Sequence, residues 1–231
     1  MDNAKNIKIS LAVIYILIIS IFLWLFFKYF SIEDFTSYEL IKSNRDILNE
    51  IKNKNLFLSS VIFFFVTILW VLLLGFASPI FLIGGFIFGK WLGTFIVLFG
   101  LSAGATILYF LANFFIKDFI YEKFSYKFIY LVNKFKKNEL IYFIIYRAVG
   151  GIPFFIQNLL PLIFNIKIKN YFYGSVIGLA PQLFIGVSLG AGINNIIDDN
   201  DTMPNLIQMI LIPDIYFPIL GLILILIITF F

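Results

Sequence analysis

Arg147 is the one charged side chain that this sequence sets deep inside an apolar stretch. It follows the run Leu140–Tyr146 and lies eight residues past Glu139, which on a helix is roughly 12 Å of rise. A guanidinium at the centre of a bilayer costs about 2.5–3.5 kcal/mol on insertion scales, so it must face protein or a water-filled cavity and find a partner. Gly150 and Gly151 follow closely. Their backbone N–H groups can form an anion-binding nest beside the guanidinium, and arginine grips phosphate with two parallel hydrogen bonds. This pattern suggests a lipid phosphate as ligand. A structural reading stands beside it, in which Arg147 satisfies carbonyls freed by the helix break that follows. Pro153, Gln157 and Asn158 complete the candidate binding set, with Asn158 five residues past Pro153, where it could cap or bridge broken backbone. Gln157, Asn158, Gln182 and Asn113 read equally well as plain interhelical hydrogen-bonding residues. Lys90 is expected to snorkel to an interface, and Trp24, Trp70 and Trp91 to anchor at interfaces or pack.

The missing residue types narrow the chemistry further. The chain has no His and no Cys, hence no disulfide framework, no His or Cys metal site, no cysteine nucleophile and no imidazole base. No Asp or Glu occurs between Ile51 and Lys117, or between Leu140 and Ile197. Proton-coupled carriers keep a membrane-buried carboxylate, and this sequence offers none. Paired carboxylates and a Ser-His arrangement are absent as well. The reading is of a non-enzyme without cofactor or metal.

The composition says what must position Arg147. The chain is 61% hydrophobic and only 13% charged, with a mean hydropathy of +1.01, whereas soluble domains carry about 25% charge. An all-α integral membrane protein is expected, with membrane lipids bearing anionic or phosphate head groups as its partners. Residues 1–55 read as a first transmembrane helix, over Ser10–Phe27, followed by an amphipathic surface helix; no small-residue cleavage site follows Phe27. The core is expected over 56–197: a broken segment at 56–89, a span at 91–116, a basic interfacial helix at 117–139, a second broken segment at 140–166 and a span at 171–197. In the interfacial helix Ile120, Phe124, Phe128, Leu131 and Phe135 would share one face. Residues 198–231 give an acidic loop and a last helix.

The two broken segments match. Pro79, Gly100 and Gly104 recur as Pro153, Gly174 and Gly178, each 74 positions later. Each Pro sits in a glycine-containing break, beginning at Gly75 in the first copy and at Gly150 in the second. Short hydrophobic segments broken by Gly or Pro at corresponding places in two halves point to a transport site between repeats. Charge fixes the orientation. Residues 117–139 hold six Lys against three acids, and Lys167 and Lys169 lie beyond the second segment, whereas 198–205 hold three Asp and no base. The positive-inside rule puts both flanks of 140–166 in the cytoplasm, so that segment must enter and return. The N-terminus, with Lys5 and Lys8, is also cytoplasmic, and 56–89 must then dip in from the other side. The expectation is an inverted repeat of re-entrant hairpin plus span, with Gly75, Pro79, Gly84, Gly85, Gly89, Gly100, Gly104, Gly174, Gly178 and Pro181 serving the breaks and close helix packing.

The stretches Gly84-Gly-Phe-Ile-Phe-Gly89-Lys-Trp-Leu-Gly93-Thr and Gly100-Leu-Ser-Ala-Gly104 resemble the first half of the DedA-like, or VTT-domain, membrane proteins. The series Tyr146-Arg147, Pro153-Phe-Phe-Ile-Gln-Asn158, Tyr171-Phe-Tyr-Gly174, Gly178-Leu-Ala-Pro181 and Gly190 resembles the second. Together they cover roughly residues 56–195, closest to the branch without an acidic residue in the first hairpin. The resemblance implies two opposed re-entrant hairpins and movement of lipids or lipid phosphates between leaflets, with Arg147, Pro153 and Asn158 on the second-hairpin pattern. Three positions depart from it: Gly150 where Pro is usual, Leu162 where Gly is usual, and Asn113 where Arg is frequent.

Three functions therefore compete at this level. The leading one is a lipid or lipid-phosphate translocator. A small-solute or ion transporter on the same repeats is the second, and a non-transporting scaffold using the surface helices is the third. A multi-pass position in the plasma membrane is expected, with the N-terminus cytoplasmic.

Overall fold

The computed structural model describes residues 55–73, 75–124, 126–149 and 152–199, with scattered positions elsewhere. The expected surface helix at 31–55 and last span at 215–231 fall outside the described residues apart from isolated positions, as does the expected first span apart from part of its helix. The described residues are helical throughout, without strands.

From residue 55 to 199 the described residues form seven α-helices: α1 (Leu56–Leu73), α2 (Ser78–Phe115), α3 (Lys117–Phe124), α4 (Ile129–Lys137), α5 (Glu139–Ala148), α6 (Phe154–Leu159) and α7 (Ile168–Asp199), with a 3-10 turn, Leu160–Phe164, between the last two. Among the described residues, three stretches are long and apolar enough to cross a membrane: Leu56–Leu73, Ser78–Phe115 and Ile168–Gly192. α1 buries little of itself, and Phe57, Phe65 and Leu69 on its surface are exposed. In lipid that surface needs no protein cover, because acyl chains are as apolar as leucine.

α2 is not one straight rod. Gly89 has φ 72° and ψ 176°, a conformation essentially reserved to glycine, and it splits α2 into limbs 78–88 and 90–115. A second positive φ, 71° at Gly75, turns the chain between α1 and α2. Trp70 holds that turn at both ends: its carbonyl accepts from Gly75 N at 3.3 Å and its indole Nε1 donates to Phe76 O at 2.8 Å.

Glycines mark where helices meet most closely, and the pairs give direction. A Cβ on Gly100 would lie 2.8 Å from Thr67 Cγ2, and one on Gly104 2.9 Å from Val71 Cβ, so α1 runs parallel to the 90–115 limb. In the later half, a Cβ on Gly174 would lie 2.5 Å from Phe143 Cδ1, and one on Gly178 2.5 Å from Arg147 Cβ. α5 is therefore parallel to α7. Trp91 meets Phe184, and Tyr109 stacks on Tyr171 with centroids 4.3 Å apart, so α7 runs antiparallel to the 90–115 limb. Limb 78–88 crosses α7 tightest of all, where a Cβ on Gly85 or Gly190 would collide with the opposing backbone carbonyl of Val187 or Leu82. The main core runs along α7 from Tyr171, against Tyr109 and Phe143, to Val187, and includes Val97 and Leu101 of the 90–115 limb.

The basic stretch departs from expectation. It forms two helices, α3 and α4, separated by a turn at 126–128. The turn resets the helical phase. α4 buries Val132 and Phe135, one turn apart, whereas Phe128 and Leu131, expected to share a face with Phe135, are 40% exposed.

Candidate functional site

The site is built on the end of α5, the start of α6 and one face of α7. Asn138 caps α5 by accepting from Ile141 N at 3.4 Å. The helix then carries Arg147 in its last turn and ends at Val149, whose backbone is extended. Pro153, fixed near φ −52°, starts α6, and its carbonyl accepts from Gln157 N at 2.9 Å. This brings Gln157 and Asn158 beneath Arg147.

Arg147 is wholly buried. Its Nε donates to Ser175 Oγ at 3.0 Å, Nη1 to Asn158 Oδ1 at 2.9 Å and, at a longer 3.4 Å, to Gln157 Oε1, and Nη2 to Tyr171 Oη at 2.6 Å. Tyr171 Oη in turn donates a hydrogen bond to Asn158 O at 3.0 Å. The rings of Tyr171, Phe143 and Phe154 lie 4.9, 5.2 and 5.8 Å from the guanidinium carbon, so ring faces supply further attraction for the cation. The carbonyl of Arg147, freed by the helix break, accepts from both Gln157 Nε2 and Gln182 Nε2 at 3.2 Å. Gln157 thus ties the guanidinium and the broken backbone together. Tyr146 Oη adds a bond to Gln157 O at 3.1 Å.

Every one of these partners is neutral. A buried charge without a counter-charge normally costs several kcal/mol; here oxygen dipoles and ring faces carry the whole compensation. Asn158 Nδ2 remains without a partner although buried, so an amide donor stands unused beside the cation.

Next to this cluster is a cavity of about 160 Å³. Ala77 and Phe81 come to it from α2 and its approach, Val149, Ile152, Phe154 and Gln157 from the α5–α6 break, and Leu179, Gln182 and Leu183 from α7. At about 30 Å³ per liquid water it has room for several waters or one phosphate-sized group. The two chain breaks meet here as well: a Cβ on Gly75 would lie 3.1 Å from Phe155 Cβ. The larger concavities lie elsewhere, as two apolar grooves of about 850 and 580 Å³ on the flanks of α1.

Of the sequence candidates, Arg147, Gln157, Asn158 and Gln182 come together, and Pro153 starts the helix that bears two of them. Gly150 and Gly151 lie outside the described residues. Asn113 sits near the end of α2, outside the partner set of Arg147, and its Oδ1 is itself unpartnered. Tyr171 and Ser175 were not among the candidates. With Gly178 and Gln182 they follow an i, i+4, i+7, i+11 stripe along α7, the helical spacing that marks one face; that stripe was the available signal. Gly186, which pairs with Gly190 at the same four-residue spacing as Gly174 with Gly178, was also missed.

No solved structure matches the chain. The sequence model of the VTT domain matches residues 74–192, just over half of the chain, and spans both chain breaks, Arg147 and the stripe on α7. The chain belongs to the VTT-domain family, that of DedA and the SNARE-associated Golgi proteins.

Proposed function

We propose that this membrane protein translocates lipids or lipid phosphates between leaflets, as a non-enzymatic passage through the junction of its two chain breaks. In this reading 56–89 and 140–166 are re-entrant hairpins of an inverted repeat. They enter from opposite faces of the plasma membrane, with the N-terminus cytoplasmic, and meet tip to tip where Gly75 approaches Phe155. The opposed directions of the 90–115 limb and α7 support that arrangement, and so does the 74-residue offset of Pro79, Gly100 and Gly104.

The observation that carries the reading is the buried Arg147, held by neutral partners alone, beside a cavity. A cation held only by neutral dipoles projects a positive potential, and low dielectric strengthens it. An anionic head group reaching the cavity past Gln157 and Gln182 supplies the missing counter-charge, and Asn158 Nδ2 offers it a donor. Gly150, Gly151 and Pro153 belong to the same receiving loop, and the apolar grooves along α1 accommodate acyl chains. With no acid from Leu140 to Ile197, no carboxylate competes with the phosphate.

The test is lipid movement by the purified protein in vesicles of defined composition. A head-group-labelled phospholipid becomes accessible to an external quencher faster than in protein-free vesicles. Movement no faster than the protein-free background overturns the reading; substrate-dependent solute flux in neutral-lipid vesicles would establish the small-solute carrier in its place.

A further inference from the structure

Five lysines gather at the base of the second hairpin. α4 carries Lys134, Lys136 and Lys137 in its last turn, and Lys167 and Lys169 stand exposed at the start of α7. Glu139 draws the two groups together, since its Oε1 accepts from Lys167 N at 2.7 Å and from Asn170 Nδ2 at 2.8 Å. It is the only acid between Glu122 and Asp198, so the collar has five cations around one carboxylate already engaged.

The collar has a defined face. Phe135 of α4 stacks on Phe164 of the 3-10 turn with centroids 4.3 Å apart and rings 4° from parallel. This turns the opposite face of α4, with Tyr130, Lys134 and Lys137, away from the protein. Tyr126 and Tyr130 are 85% and 67% exposed, and Ile129 is 52% exposed. Lys134 lies over the Tyr130 ring at 4.8 Å. Lysines interleaved with exposed tyrosines and an aliphatic side chain match the head-group layer, where amphipathic rings and cations settle together. A face turned to bulk water gains nothing from exposing Ile129 and two tyrosines.

We propose that this collar is a docking surface for the anionic phospholipid head groups of the leaflet on its own side of the membrane. Charge complementarity selects the occupant, since anionic leaflets attract juxtamembrane lysine clusters. The Phe135–Phe164 stack then fixes the base of the second hairpin at head-group depth. The proposal does not rest on translocation; a solute carrier or a scaffold with this collar would dock in the same way.

The chain has no cysteine, so Tyr126→Cys gives a single labelling position. The protein carrying a fluorophore there is reconstituted in phosphatidylcholine vesicles doped with equal fractions of nitroxide-labelled phosphatidylglycerol or nitroxide-labelled phosphatidylcholine. Quenching by the anionic probe is expected to be at least twofold stronger at low salt, to weaken as salt rises, and to fall to the zwitterionic level in Lys134→Gln/Lys136→Gln/Lys137→Gln. These are surface changes, so folding is preserved. Equal quenching by both probes overturns the anionic preference. No quenching by either overturns lipid docking and leaves the face to a protein partner. A preference that survives the triple change overturns the assignment to these lysines.

Discussion

Replacing Arg147 by Met separates a ligand-binding role from a structural one. The side chain has similar reach and no charge. Four hydrogen bonds from the guanidinium are lost. Interhelical bonds in membranes average about 0.6 kcal/mol each, so the loss is about 2–3 kcal/mol. Removing a charge from the bilayer interior returns about 2.5–3.5 kcal/mol on insertion scales. The two nearly cancel, and Arg147→Met should melt within a few degrees of the parent. Arg147→Lys keeps the charge but loses the planar fork that reaches Ser175, Asn158 and Tyr171 together. It should therefore be the less stable of the two. Activity should run the other way: Arg147→Lys retains part of the lipid movement, because the positive potential beside the cavity survives, whereas Arg147→Met loses at least tenfold. Melting in detergent and labelled-lipid movement in vesicles, measured on the same preparations, check both orders. If activity merely follows stability across the three proteins, or if Arg147→Met moves lipid at the parent rate, the reasoning from a charge held only by neutral partners is wrong.

Other consequences are as direct. Gly89→Ala should cost about 1–3 kcal/mol, because its backbone conformation is open only to glycine while a Cβ there would meet nothing within 4 Å; a lowered melting temperature without a change in lipid movement checks it. Glu139→Ala removes the acceptor shared by Lys167 N and Asn170, costs about 0.5–1.5 kcal/mol because the freed donors at this exposed edge can turn to water, and should speed backbone amide exchange at the start of α7 first. Gly85→Leu puts a side chain against the Val187 carbonyl, a clash with backbone that cannot move aside, and folded yield in detergent should fall sharply.

Membrane class and helical character were legible because composition alone decides them, and the helix breaks were legible because Gly75, Gly89 and Pro153 act on their own local backbone. Arg147, Gln157, Asn158 and Gln182 could be picked out as polar residues in apolar surroundings. Tyr171 and Ser175 could not be picked out that way: both look at home in a span, and only the parallel packing of α5 on α7, set by Gly174 and Gly178, brings them to the guanidinium. The same cause explains Gly186 and Gly190, whose role depends on limb 78–88 crossing α7, a tertiary fact absent from the local pattern. The basic stretch was legible as helical but not as two helices. Ile120, Phe124, Phe128, Leu131 and Phe135 share a face only if the helix is continuous, and the turn at 126–128 shifts burial to Val132 and Phe135.

The two halves satisfy their breaks by different means, which bears on where a ligand would act. At the first break Trp70 ties the turn, its carbonyl accepting from Gly75 N and its indole donating to Phe76 O, and no ionisable group stands near it in sequence. At the second break Gln157 and Gln182 both hold the Arg147 carbonyl, while Gln157 also reaches the guanidinium. A ligand that takes the place of Gln157 at the guanidinium also loosens one of the two donors on the Arg147 carbonyl. Gln157→Leu should uncouple the two. It leaves the Arg147 carbonyl to Gln182 alone and removes only the longest of the four guanidinium bonds, so the cation stays in place. Lipid movement in this variant should persist with a changed rate rather than vanish as in Arg147→Met. If Gln157→Leu and Arg147→Met are equally inactive while both remain folded, the charge is not what the passage uses, and the polar network as a whole is.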